Sequence, residues 1–177
     1  MKRVIWVALF FAMTAVAQHP PAIMLNVKRI SSVKDVQKNW QTSWGSYDRD
    51  FSRAVAVDIS LWNMRKAPET VTLEVLFIAK PLSGDKRWVF DRVVEEIELD
   101  QTKPYRAVKM SKALTASVQN YAALGVRDEA GGQIDGFIVR VLQGDMVIKV
   151  EASSFPLKRL GSDKLQIALL IKAEESE

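Results

Sequence analysis

The 177-residue sequence contains no cysteine. This rules out disulfides, thiol nucleophiles and thiolate metal sites, and it leaves no residue for lipoprotein acylation. A domain made from this chain must therefore rest on its apolar core, and about 160 residues can bury enough surface for that. Histidine is nearly as scarce, with a single residue at position 19. A Ser-His-Asp triad or a histidine metal cluster needs imidazoles set into a fold. His19 instead precedes Pro20-Pro21, an extended lead-in. No G-x-G-x-x-G or P-loop pattern occurs, so the usual phosphate cradles are absent. Lys and Arg do not gather into a stripe that could neutralise phosphates, which argues against nucleic acid as a partner. Nothing in the sequence requires a cofactor.

Long apolar runs are also few. Val4 to Met13 is the main one; it follows Lys2 and Arg3 and precedes Ala15-Val16-Ala17. A basic start, an apolar stretch and a small-x-small site form a secretory signal, expected to be cut before Gln18. The run falls short of the ~20 residues that a spanning helix requires, so no transmembrane anchor is expected after cleavage. The formal charge is +4, from 25 basic and 21 acidic residues. Removing Lys2 and Arg3 leaves 23 basic residues and a net +2, a nearly balanced mature chain. The pattern fits bacterial export to the periplasm or the exterior. The expected organisation is a signal peptide at 1–17, a β-domain at 18–155 and a C-terminal segment at 156–177 that packs on it.

What the chain does have is alternation. Phe51, Val55, Val57, Ile59 and Leu61 share one parity, with Ser52, Asp58 and Ser60 on the other. After the polar break Arg65 to Glu69, the residues Val71, Leu73, Val75, Phe77 and Ala79 repeat the pattern against Thr72 and Glu74. Each run lays an apolar row against a core. The short link suggests that the two are antiparallel neighbours, with Val57, Ile59, Val75 and Phe77 buried and Asp58 and Glu74 exposed. Further strands are expected at 23–33, 87–94, 93–99 and 105–112. Residues 134–152 read as a hairpin about Gly144-Asp145, pairing 141 with 148 and 139 with 150. That register buries Val139 and Ile148 and leaves Lys149 outside. Lys34 to Arg49 and Asp128 to Gly132 read as irregular, and Ala113 to Leu124 as a helical turn or two. Pro156 to Leu160 suits a short helix, and Leu165 to Ile171 is apolar all round, a helix or a last strand.

Seven or eight short strands with regular turns indicate an all-β antiparallel sandwich. The stretch VAVDISLWNMRKAPETVTLEVLFIA, followed by VEEIELDQTKPYRAVKM, resembles the bacterial secreted immunoglobulin-like or fibronectin-III-like sandwiches. Asn63 stands at the strand-end polar position of that pattern. The resemblance implies an immunoglobulin-like fold, which hosts adhesins, chaperones, spacers and carbohydrate-binding modules and so leaves activity open.

Candidate site residues are mainly aromatic. Trp40, Trp44 and Tyr47 share one stretch, while Trp62 and Trp88 lie on strands. They could pack the rim of the sandwich or form a platform for a glycan or a protein. Leu76 and Ile78 make an apolar patch on the outward parity of their strand, to be covered by Leu165 to Ile171 or used by a partner. Asp128, Glu129 and Asp135 are weak calcium candidates, because calcium prefers clustered oxygens, though their spacing is not that of an EF-hand. The expected function is a non-enzymatic exported module that binds or spaces cell-envelope components, protein or glycan. Alternatives are a carbohydrate-binding module using the loop aromatics and a hydrolase working through carboxylates alone. N-terminal sequencing of exported protein should start at or near Gln18; retention of Met1 to Ala17 in a membrane fraction would instead mark an anchor.

Overall fold

The computed structural model describes residues 23–39, 46–121 and 126–174. Among the described residues there are eight strands followed by two short helices: β1 (Ile23–Asn39), β2 (Ser46–Asn63), β3 (Glu69–Pro81), β4 (Trp88–Leu99), β5 (Tyr105–Met110), β6 (Leu114–Tyr121), β7 (Val126–Gln143), β8 (Met146–Ala152), α1 (Phe155–Ser162) and α2 (Lys164–Glu174). Every pairing is antiparallel. The result is an all-β fold with a short helical C-terminus, as the alternation predicts.

The strands form two layers. The first holds β1, β2, β5, β6 and the start of β7. The second runs β4, β3, the rest of β7 and β8. Val55, Val57, Ile59 and Leu61 of β2 meet Val71, Leu73, Val75 and Phe77 of β3 in one buried cluster with Phe137, Val139 and Val141. The two runs are therefore not sheet neighbours. Each pairs with other strands, and their apolar rows face one another across the core. One-sided alternation identifies the buried row but cannot distinguish a partner beside it from a partner opposite it. The link between the layers is held by Asn63, which is buried. Its Nδ2 donates to the carbonyls of Ala67 at 2.8 Å and Leu99 at 3.1 Å, while its Oδ1 accepts from the Arg65 amide at 2.8 Å.

Strand β7 belongs to both layers. It pairs with β6 as far as Gly131 and with β3 from Gly132 onward. Gly131 has φ +84°, and a Cβ there would lie 2.5 Å from the Thr115 carbonyl oxygen. The glycines that suggest a loop at 128–132 thus let a continuous strand change sheets. Two other stretches read as non-strand are strands. Residues 114–121 form β6, whose Ala116 and Val118 are buried between less buried Thr115 and Ser117, a period of two. Most of 34–49 belongs to the long β1–β2 ladder, which pairs through Asn39 and Asp48.

The 144–145 turn forms where expected, but the register shifts beyond it. Val141 pairs with Lys149 and Leu142 with Val147, so Ile148 is an extra, bulged residue. Ile148 still packs on the main core, whereas Val150 turns to the opposite side of the sheet. Lys149 is exposed and Asp58 half-buried, but Glu74 is buried at 4%, against expectation. Its Oε1 lies 2.7 Å from Arg92 Nη2 and accepts from Arg92 Nε at 2.9 Å. Arg140 Nε lies 3.3 Å from Oε2 but off the hydrogen-bond angle.

On the far side of the second layer, α1 and α2 pack over Leu76, Ile78, Val89 and Ile138 through Leu157 and Ile167. Gly161 permits the approach of α1, since a Cβ there would come within 2.5 Å of Ile138 Cγ2. Asp163 joins the helices: its amide donates to the Leu160 carbonyl, and its Oδ1 accepts from the amides of Leu165 and Gln166 at 3.0 and 3.1 Å. Leu165 to Ile171 is helical, with Ile167 against the sheet and Leu169 69% exposed. Ile167→Ala should cost ~2–5 kcal/mol in chemical denaturation, and Phe77→Ala ~3–5 kcal/mol. Leu169→Ala should stay within about 0.5 kcal/mol of the parent; equal losses at 167 and 169 would contradict this facing of α2.

Candidate functional site

The sequence-derived candidates do not converge on one place. Trp40 and Trp44 lie outside the described residues; Tyr47 falls in β2, and its side chain lies outside them too. Trp88 is a packing residue: a Cβ added at Gly132 would meet its ring atom Cη2 at 2.5 Å, so the ring lies against the β7 crossover. Leu76 and Ile78 are fully buried under the helices and unavailable to an outside partner. Asp128 pairs across from Gln119 in the first layer, whereas Asp135 accepts from Arg87 Nε at 2.6 Å and lies 3.9 Å from Lys80 Nζ. Among the described residues no group of three or more His, Cys, Asp or Glu is placed to hold a metal ion. No helix among them is long and apolar enough to cross a membrane.

Trp62 belongs to a different feature, the outer face of the first layer. Leu61 and Asn63 point to the core, so alternation puts Trp62 outside. The register builds rows across this face: Met24 beside Trp62, then Asn26, Ser60 and Arg106, then Lys28, Asp58 and Val108. Met110 continues it beside Ala56. Met24 is 51% exposed, Ile30 52%, Val108 59% and Met110 62%. Large aliphatic side chains thus stand in water on this face, while on the corresponding face of the second layer Leu76, Ile78 and Ile138 lie beneath α1 and α2 and Val94 is exposed. The exposure of Val108 and Met110 could not be read from their shared parity, because parity alone does not say which face meets the core.

At the edge where the layers meet, β4 and β5 are clasped by polar groups. Tyr105 Oη donates to Glu95 Oε2 at 2.9 Å, and the Lys109 ammonium donates to the same oxygen. The hydrogen bond from Lys109 holds the Glu95 carboxyl below the usual carboxylate range. The same bond raises Lys109, and burial, with Glu95 beside it, raises Tyr105. Each shift stabilises the resting form: carboxylate, ammonium and neutral phenol. A nucleophilic lysine or a general-base phenol requires the reverse, a lowered pKa. The cluster clasps β4 to β5. Sequence spacing gave no sign of it, because it depends on which strands meet at the edge.

A concavity of about 500 Å³ is lined by residues of β2, β6 and β7, among them Asp50, Phe51, Ser52, Thr115 and Ser117. It lies where β7 parts from β6.

The sequence matches no protein-family model and no curated protein. Among solved structures, the fold is similar to a Bacteroides fragilis protein with a suggested β-galactosidase activity, at 14% identity and TM-score 0.33, over 67% of this chain and 15% of that one. The present chain thus corresponds to only a small part of that protein. A protein of Akkermansia muciniphila is similar at 7% identity and TM-score 0.29, over 81% and 78% of the two chains. Both likenesses are too distant to carry an argument about family or activity.

The Glu95 clasp makes a pH-dependent prediction. Because the Glu95 carboxyl is lowered, its contribution is present above the usual carboxylate range and is lost as pH falls through the lowered value. Lys109 and Tyr105 are raised, so theirs is present below the usual ammonium and phenol ranges and is lost as pH rises through the raised values. Lys109→Met should therefore destabilise at neutral pH by about 1 kcal/mol or less, the scale of a solvent-screened pair. The difference in melting temperature should shrink as pH falls through the lowered Glu95 value and vanish once the carboxyl is protonated in both proteins.

Proposed function

We propose that the protein is an exported, non-enzymatic β-sandwich that docks a partner protein of the bacterial cell envelope on the outer face of β1, β2 and β5. The observation that carries this reading is the unequal cover of the two sheets. The chain supplies two helices to seal the second layer over Leu76 and Ile78, yet it leaves Met24, Ile30, Val108 and Met110 more than half exposed on the first. Exposed apolar groups gathered on one face and interleaved with Lys28, Asp58 and Arg106 suit a protein interface. Localisation to the periplasm or exterior rests on the signal-like start of the sequence.

Photo-crosslinking tests the reading. A photoreactive residue in place of Val108 or Met110, in an exporting bacterium, should give a discrete protein adduct, and one in place of Leu169 should not. Absence of an adduct from the 108 and 110 positions would refute docking on this face. Val108→Asp with Met110→Asp should abolish the adduct formed from a probe at Ile30. Both residues are exposed, so each change should leave stability within about 0.5 kcal/mol.

A further inference from the structure

We propose that the fork between β6 and β7 binds a neutral saccharide unit. The fork follows from the strand that serves two sheets. β7 makes its last rung with β6 at Ala116 and Gly131, then pairs with β3 from Pro81 and Gly132. β6 continues to Thr115 and Leu114, which pair with Ser52 and Arg53 of β2 and have no β7 partner. The departure of β7 leaves the cavity of about 500 Å³, within the ~300–1,000 Å³ typical of small-ligand sites.

Register determines the chemistry that faces it. Asp50, Ser117 and Ala130 form one rung, and Ser52 and Thr115 the next on the same face. Opposed residues of an antiparallel pair share a face, as do residues two apart on one strand. One carboxylate and three hydroxyls therefore border the cavity, beside a larger apolar lining from Phe51, Ala116, Ala130 and Gly131. Among the described residues, none of these four side chains makes a hydrogen bond or an ion pair with the protein. Their bonding capacity is left to solvent or to a ligand. Hydroxyls both donate and accept, and the carboxylate accepts from O–H, which is the set that a polyhydroxylated ligand requires.

Charge excludes the main alternatives. An anion would meet the Asp50 carboxylate with no cation among the lining residues, Arg49 and Arg53 both standing on the alternate parity of β2. A metal ion would find a single carboxylate there, fewer than the clustered charged oxygens that calcium prefers. Asp50 and Ser52 share the parity of Ala56 and Asp58, so the site lies further along the same outer face of β2; the inference does not depend on protein docking at β5.

The test is titration of the ¹⁵N-labelled exported protein with glucose, galactose, N-acetylglucosamine, maltose and cellobiose at millimolar concentrations. At least one should shift, saturably, the amides of residues 50–52, 115–117 and 130–131. Asp50→Ala should weaken that binding about 10-fold or more, the loss expected for a hydrogen bond to a charged group. Ala130→Trp should fill the cavity and abolish binding with the melting temperature retained; Thr115→Val is the second variant should the indole disturb the strand. Crosslinking from position 108 should be unaffected by Asp50→Ala, which separates the two sites. The proposal is overturned if no sugar shifts these amides, if the shifts survive both Asp50→Ala and the cavity variants, or if free lysine produces them equally.

Discussion

Strand β3 is apolar on both faces, and the architecture answers that constraint. Val71, Leu73, Val75 and Phe77 face one way; Leu76 and Ile78 face the other; all six are buried. A strand of this kind cannot sit in a sheet with one face in water. It needs a layer on each side, and the chain supplies two different ones. The first sheet covers one face, and the C-terminal helices cover the other. Burial of Leu76, Ile78, Ile138 and Ile167 contributes on the order of 6–10 kcal/mol before ordering costs. That is comparable with the net stability of a domain, so the helices belong to the fold as much as the strands do.

The same constraint explains the buried carboxylate. Glu74 shares the parity of Leu76 and Ile78 and is carried into the covered face with them. A lone buried carboxylate would be expensive, and Arg92 and Arg140 lie on the flanking strands to meet it. Glu74 pairs directly with Arg140 of β7, while Arg92 of β4 is its diagonal neighbour opposite Leu76. A one-residue slip of either strand would turn its arginine to the other face and leave the charge alone. The pair thus works against misregistered pairing as much as for stability.

Much of the fold was legible because the core speaks through period two. The parity of β2, β3 and the β7–β8 hairpin correctly names Val57, Ile59, Val75, Phe77 and Val139 as buried. Three things were not legible, for separate reasons. Whether β2 and β3 are side by side or face to face depends on pairing energies spread over all eight strands. The bulge at Ile148 adds one residue that alternation cannot announce in advance, and it sends Val150 to the helices. β6 is short and mixes Ala, Ser and Thr, so its weak alternation is overwritten by local propensity until β2 and β7 flank it. The candidate sites were less legible still. Leu76 and Ile78 read equally well as a docking patch or a buried row. The open face and the fork exist only once strand order is known, because both are made by residues from three strands in register.

Strand β7 carries the last consequence. By joining β6 and then β3, it ties the two layers with a continuous backbone, where other β-sandwiches use an inter-sheet disulfide. Proteins without cysteine lack that covalent link between sheets, and here hydrogen bonds along one strand take its place. The tie has a geometric cost. A strand that leaves a sheet leaves its former neighbours without partners, and Thr115, with Ser52 opposite it, borders the gap. Apolar side chains there would have extended the core into water. Hydroxyls and Asp50 make the gap wettable, so a structural necessity yields a concavity with polar groups set beside an apolar floor.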